Sequence, residues 1–380
     1  MTFIIFILIL SFLVFVHELG HYLVAKKNGI RVEEFGLGLP PRIYGKQVGE
    51  TIYSLNLLPF GGFVRLTGED LLEQKDGVTN DPRSFATKSA GQRAAVLVAG
   101  VAMNTLITVV LYYFLFFANG FKTLSLPLIF EHKFAFGTMT TVDTVITGFS
   151  ENSVFSENDI SSGEAIIKID DTTIHSVTDV KAALMDKAGK EVNVTLADLR
   201  KGEEGEGKAR ILNVVPYADD TGNGVLGVYL GRSATLIYDK PIEKIFAGFL
   251  HAYNMLEYSM NVFGQLIGLS VESGSISPVS EGVSGPLGIY TIVGSILDIG
   301  GKQIFLAMLD FVALMSLSLA FLNVMPFPAL DGGRLAFVVA EKVIGRKISP
   351  IFEAKVHRWG MLALLALIVL VSAKDIVRFF

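Results

Sequence analysis

The 380-residue chain has no cysteine, which removes disulfides, thiolate metal ligands, cysteine nucleophiles and S-acylation together and leaves the redox compartment unreadable. Charge is scarce: 18% of residues are Asp, Glu, Lys or Arg, and the net charge is −5, so no nucleic-acid partner is expected. There is no internal repeat and no long low-complexity tract. What remains is 51% hydrophobic, above the usual share in soluble proteins.

That apolar content is concentrated. Stretches near Phe3–Val24, Ala94–Ala118, Ile304–Met325 and Trp359–Ala373 read as membrane spans, since a helix needs ~20 residues to cross. The fourth is short and has room to extend past Asp375. The first lacks a basic n-region and a small-x-small cleavage site, so it reads as a retained span rather than a signal peptide. Lys26, Lys27 and Arg31 follow the first span, Arg83, Lys88 and Arg93 precede the second, and Arg334, Lys342, Arg346 and Lys347 lie between the third and fourth. The positive-inside rule puts these loops in the cytoplasm and everything between the second and third spans outside.

Between the spans the pattern changes. In residues 31–92, the short alternating runs Thr51–Leu58 and Phe63–Leu66, broken by Gly and Pro, predict the strands of a hairpin. It is apolar enough to dip into the membrane, and a small cytoplasmic hairpin is the other reading. Residues 125–232 are polar and acidic. Strands are predicted near Thr144–Phe149, Glu164–Ile169, Val192–Leu199 and Ala209–Val215, and a helix over Val177–Ala188 capped by Ser176 or Thr178. The run KGEEGEGK at 201–208 reads as a solvated hairpin tip. Ile242–Leu269, within a 240–300 segment, has helical apolar spacing interrupted by charges, which predicts a helix lying on the membrane surface.

The first span carries FVHELGHYLV. His17 and His21, four apart, share one helix face and offer two imidazoles to a single ion. Glu18 is rotated about 100° from His17, off that face but within reach of a water beside the ion. This is the H-E-x-x-H arrangement of zinc peptidases, with the glutamate as general base. Ionisable groups inside a span default to function. Zinc needs a third protein ligand. No other histidine lies at the right depth, so a carboxylate is expected. Asp331, in NVMPFPALDGGRL where Pro326 and Pro328 break the third span, is the candidate. Asp310 lies about 21 residues, or ~30 Å of helix, farther out. Taken alone, Asp331 also reads as a helix N-cap for a segment starting near Arg334. Two histidines and a carboxylate suit zinc, but also iron or cobalt.

HELGH in the first span, NVMPFPALDGG closing the third, LLPFGGFVRL in the hairpin and SFATKSAGQRAAVLVAGVAMN leading into the second span together resemble the site-2 protease family of intramembrane zinc metalloproteases, and within it the bacterial regulator-of-sigma-E branch. The outer segment resembles a bacterial PDZ domain, with Val225–Leu230 as a groove strand. Tandem PDZ domains in enterobacterial relatives contrast with room for one here.

The resemblance implies an α-helical polytopic membrane protein of about four transmembrane helices, with a membrane-associated β-hairpin and an inserted extracytoplasmic α+β PDZ-like domain. Its parts would be residues 1–30 (first span), 31–92 (hairpin loop), 93–120 (second span), 125–232 (PDZ-like domain), 240–300 (surface helix and loop) and 301–380 (third and fourth spans). His17, His21 and Asp331 would hold Zn2+, with Glu18 as catalytic base. Gly61, Gly62 and Phe63 would bind substrate. Asn323 would contact the substrate backbone, or else make a helix–helix hydrogen bond. The implied activity is cleavage of single-pass transmembrane proteins, such as an anti-sigma factor, or of residual signal peptides, in the inner membrane with the active site near the cytoplasmic side. The partners would then be those substrates, the lipid bilayer and a peptide ligand of the PDZ-like domain. A non-catalytic receptor or chaperone working through that domain is the alternative, though Glu18 has no use there. A metal transporter is a third, poorly served by the few polar residues Asn104, Asp310 and Asn323.

Overall fold

The computed structural model describes residues 1–69, 81–155, 160, 163–199, 209–299, 301 and 303–379. The chain begins with α1 (Thr2–Lys27), the strands β1 (Val32–Val48) and β2 (Thr51–Leu66), and α2 (Ala90–Ala118). A β-rich stretch follows: β3 (Leu126–Leu128), β4 (Thr138–Phe149), β5 (Glu164–Ile169), β6 (Thr172–Thr173), α3 (Val177–Leu184), β7 (Val192–Asp198), β8 (Arg210–Val214), β9 (Tyr217–Ala218), β10 (Gly224–Val225) and β11 (Val228–Ile237). The rest is helical: α4 (Pro241–Ser273), α5 (Ser277–Gly282), α6 (Pro286–Asp298), α7 (Gln303–Val324), α8 (Asp331–Ile344) and α9 (Pro350–Phe379).

Among the described residues, four helices are long and apolar enough to cross a membrane: Thr2–Lys27, Ala90–Ala118, Gln303–Val324 and Ile351–Val377. The last has 27 residues and corrects the short Trp359–Ala373 prediction. His357 and Arg358 both lie within the helix, and His357 Nδ1 accepts the Ala329 N–H at 2.9 Å. Helix α1 stops at Asn28, after which Gly29 takes φ +63°; Lys26 and Lys27 occupy its last turn, the favoured sign at a helix C-terminus.

The chain forms two compact units: Met1–Tyr112 with Phe263–Leu297 and Met308–Phe380, and Tyr113–Val262 with Asp298–Ala307. In the first, the hairpin differs from its prediction. Its strands are β1 and β2, and both predicted strands fall inside β2. Glu34–Leu37 of β1 pairs on one side with Gly62–Arg65 and on the other with Ile52–Leu55, while Tyr44–Val48 pairs with Thr51–Leu55. Four short segments thus lie side by side, with Gly62–Leu66 paired on one side only among the described residues. Alternation marks extended chain but not its pairing partner, which is why the prediction erred. Many residues of this sheet are exposed and apolar, including Leu39, Ile43, Tyr44, Val48, Leu57 and Leu58. Lys26 donates to Glu50 at 2.9 Å and Arg83 at 3.0 Å, and these cations hold the Glu50 carboxyl below its ordinary range at the hairpin turn.

The segment expected as a surface helix and loop holds three helices. Helix α4 is longer than predicted, and the supposed loop contains α5 and the apolar α6. The start of α6 is fixed from afar: the buried Asp375 carboxylate of α9 accepts the Gly285 and Gly288 N–H groups at 2.9 and 3.1 Å. An N-cap supplied ninety positions along the chain leaves no local signal.

In the second unit, strands in the order β3–β11–β4–β5–β7–β8, with β6 beside β5, form a seven-stranded sheet. Predicted strands Glu164–Ile169, Val192–Leu199 and Ala209–Val215 match β5, β7 and β8 to within a residue. Strand β4 begins earlier than expected, at Thr138, and the Val225–Leu230 strand divides between β10 and β11. Helix α3 ends at Leu184, short of the predicted Ala188, where Asp186 takes φ +58°. Ser176 caps it in a reciprocal box with Asp179. Val180 and Leu184 on its inner face pack with Ile146, Ile166, Ile169, Val194 and Leu196. His251 of α4 is fully buried beside Tyr238 and Phe116, and burial pushes its imidazole down to about 3, so the ring is neutral in the folded protein. The 201–208 run lies outside the described residues.

Candidate metal centre

Two faces of α1 serve two purposes. Ser11, Val14, Phe15, Glu18 and Tyr22 recur at helical spacing and meet the hairpin. Ser11 Oγ donates to the Pro59 carbonyl at 2.6 Å, the Phe15 and Phe35 rings meet edge-on at 5.5 Å, and the Tyr22 and Tyr53 hydroxyls are 2.7 Å apart. Glu18 therefore faces β2. A Cβ placed on Gly62 would stand 3.9 Å from Glu18 Cγ. The adjacent face, with His17, Gly20 and His21, packs against α2. Gly20 touches the Ala99 carbonyl so closely that no side chain fits between.

The two imidazoles meet the third predicted group. His17 Nε2 lies 2.9 Å from Asp331 Oδ2, His21 Nε2 lies 3.1 Å from the same oxygen, and the two nitrogens are 3.2 Å apart. His17 and His21 are buried, and Asp331 is half-buried. Two ring nitrogens and a carboxylate oxygen so close need a cation or a shared proton among them. Two imidazoles and one carboxylate, leaving room for water, form an ordinary donor set for catalytic zinc. Among the described residues, this is the group of His, Asp and Glu that could hold a metal, its ligand atoms all within 4.8 Å of one another. The partner of the other His21 nitrogen supports the fit: Nδ1 lies 2.8 Å from the Val96 carbonyl. A carbonyl only accepts, so Nδ1 carries the proton and the Nε2 lone pair of the neutral ring faces the centre.

Asp331 is placed by a tight chain reversal. Pro326 and Pro328 end α7, and α8 begins at Asp331 itself, with Leu330 as N-cap and no side-chain cap. The reading of Asp331 as a cap for a helix near Arg334 is therefore replaced. Cβ atoms on Gly332 or Gly333 would collide with the carbonyls of Val324, Met325 and Phe327, so the reversal closes only over glycines. Ala329 takes φ +81°, a costly conformation for a residue with a side chain, and its N–H is the one held by His357. Ion pairs Arg334–Glu69 and Arg93–Glu341 hold α8 to the end of the hairpin and to α2.

The remaining predicted residues are distributed unevenly. Gly62 is beside Glu18, Gly61 (φ +78°) lies against Val14, and Phe63 sits in the same strand under Arg65. Asn323 is half-buried, and its amide donates to the Leu319 carbonyl of its own helix at 3.1 Å rather than to another helix. Gly100 and Asn104 of α2 were not singled out as site residues. A Cβ on Gly100 would come within 2.5 Å of His21 Nε2 and 2.7 Å of His17 Nε2. Asn104, fully buried, has its amide 3.4 Å from His17 Nδ1. The G-x-x-x-N spacing, on one face of α2, was the available signal.

Comparison with known proteins identifies the family. The sequence profile described as "Peptidase family M50" matches residues 5–367. A Clostridium perfringens chain whose name assigns it provisionally to the zinc metalloproteases is 31% identical over 98% of this chain and 97% of its own. The zinc metalloprotease RasP of Geobacillus kaustophilus is 25% identical over 99% of this chain and 97% of its own. A solved PDZ domain from Listeria monocytogenes aligns with 24% of this chain and 90% of its own, at 19% identity and a TM-score of 0.20, too slight a likeness to argue from.

Proposed function

The chain belongs to peptidase family M50 and is a zinc metalloprotease, and from that premise we propose that it cleaves transmembrane segments of single-pass membrane proteins within the bilayer. The observation that carries the reading is the convergence of His17, His21 and Asp331 at one point of a membrane-length helix, with Glu18 turned toward a strand edge. When bound, zinc supplies Lewis-acid polarisation of the scissile carbonyl and a more acidic nucleophilic water. The Glu18 carboxylate takes the proton from that water and passes it to the leaving amine.

A helical substrate has its amides locked in i to i−4 bonds and must unwind first. The edge of Gly62–Leu66 offers replacement backbone bonds to an extended peptide, beside Glu18. Residual signal peptides or an anti-sigma factor, each carrying a single apolar helix, fit this need. Positive-inside loops put the metal centre toward the cytoplasmic face, about 9 to 15 Å of helix from Lys27. The β-rich unit, read as a PDZ-like domain outside the membrane, would bind the outer part of a substrate and admit only shortened ones.

Glu18→Gln tests the mechanism in detergent-solubilised full-length protein, with zinc content and cleavage of a synthetic transmembrane peptide measured together. Zinc should stay at the wild-type level while cleavage falls by roughly 10²- to 10⁴-fold, the usual worth of a general base. Undiminished cleavage would overturn the assignment of Glu18, and absence of zinc from the wild type would overturn the centre itself.

A further inference from the structure

Resting on the zinc-site reading, we propose that Asn104 is a positioning residue that fixes the tautomer of His17, its side-chain oxygen accepting the His17 Nδ1–H. His17 can offer Nε2 to a metal only if the ring proton is on Nδ1. His21 meets this condition through the Val96 carbonyl, which can only accept. Among the described residues, no backbone carbonyl does the same for His17. The group 3.4 Å from its Nδ1 is the Asn104 amide, nitrogen toward the ring, while the amide oxygen is buried with no hydrogen-bond partner. That orientation would put the ring proton on Nε2, among the other ligands. A half-turn of the amide exchanges oxygen and nitrogen with almost no change in shape. It places an acceptor at Nδ1, as ligation requires, and turns the stranded oxygen to use.

The backbone around Asn104 is held for such a role. Its carbonyl accepts two hydroxyls, Thr108 Oγ one turn along α2 and Ser316 Oγ from α7, each at 2.9 Å. Thr108 also donates to the Ala313 carbonyl of α7 at 3.2 Å. Asn104, Thr108 and Ser316 are all fully buried. The residue thus joins the helix carrying the two histidines to the helix leading into Asp331. A partner that orients a ligating histidine through its second nitrogen typically contributes 10- to 100-fold to metal affinity.

The test compares Asn104→Asp, Asn104→Leu and Asn104→Ala in full-length protein in detergent. Zinc dissociation constants are measured by chelator competition, and melting of the zinc-free proteins checks folding. Asp keeps an acceptor at Nδ1; Leu keeps the volume and suits the membrane better. If Asn104 sets the tautomer, Asn104→Asp should bind zinc at least as tightly as wild type, and Asn104→Leu roughly 10- to 100-fold more weakly. A packing role predicts the reverse order, with Leu harmless and the buried Asp worst, and that result would overturn the proposal. Should the Leu variant melt early without zinc, the Ala and Asp pair decides by the same order. Equal zinc affinity in all variants also overturns it, whereas a wild type that binds no zinc fails at the underlying zinc-site reading.

Discussion

At the scale of single residues, the site divides into those whose chemistry announces them and those defined by space. His17, Glu18 and His21 were legible because two imidazoles and a carboxylate are costly in an apolar helix and their spacing fixes their faces. Asp331 was legible because the prolines and glycines around it mark a chain reversal at the matching depth. Gly100 announces nothing: in an apolar helix a glycine reads as a packing detail. Yet a methyl group there would press on both imidazoles, 2.5 Å from His21 Nε2 and 2.6 Å from His17 Cε1. Neither ring can retreat, because His21 is bonded to Val96 and His17 is backed by Asn104. Gly100→Ala should therefore weaken zinc binding and abolish cleavage, although Ala is the better helix former by about 1 kcal/mol. Zinc titration checks this, and wild-type affinity in the variant would show that α2 has room to shift.

At the scale of elements, helices were read more reliably than strand partners. Hydropathy and length identify a span without reference to anything distant. The hairpin's arrangement depends on contacts that alternation does not encode, with Glu34–Leu37 lying between two parts of β2. The start of α6 is likewise set by Asp375, a residue of another helix. The arrangement found suits the proposed role better than the one expected, since it leaves Gly62–Leu66 at the margin of the sheet. The positive φ of Gly61, and the Gly36 carbonyl that would stand 2.8 Å from a Cβ on Gly62, make glycines necessary there. A proline in this strand removes one backbone donor and stiffens the chain without touching a metal ligand. Phe63→Pro should keep its zinc and lose cleavage of a transmembrane peptide. Intact cleavage would mean that substrate does not pair with this strand.

For the whole molecule, the proposed orientation rests on the sequence rather than the fold, because sidedness depends on where cations fall relative to the spans. The basic residues after α1, before α2 and between α7 and α9 argue that these segments share the cytoplasmic face, and long inserted segments cross largely regardless of charge. Absence of cysteine makes this testable with no background labelling. Three exposed positions serve: Gln47 near the hairpin turn, Asp220 in the β-rich unit and Arg346 after α8. Gln47→Cys, Asp220→Cys and Arg346→Cys, made one at a time, would be treated with a membrane-impermeant maleimide on intact spheroplasts and again after the membrane is opened. Asp220→Cys should react at once, and the other two only after opening. Labelling of Gln47→Cys or Arg346→Cys in intact spheroplasts would reverse the assignment and put the zinc site toward the outer face, where a substrate would present the opposite end of its membrane helix to Glu18.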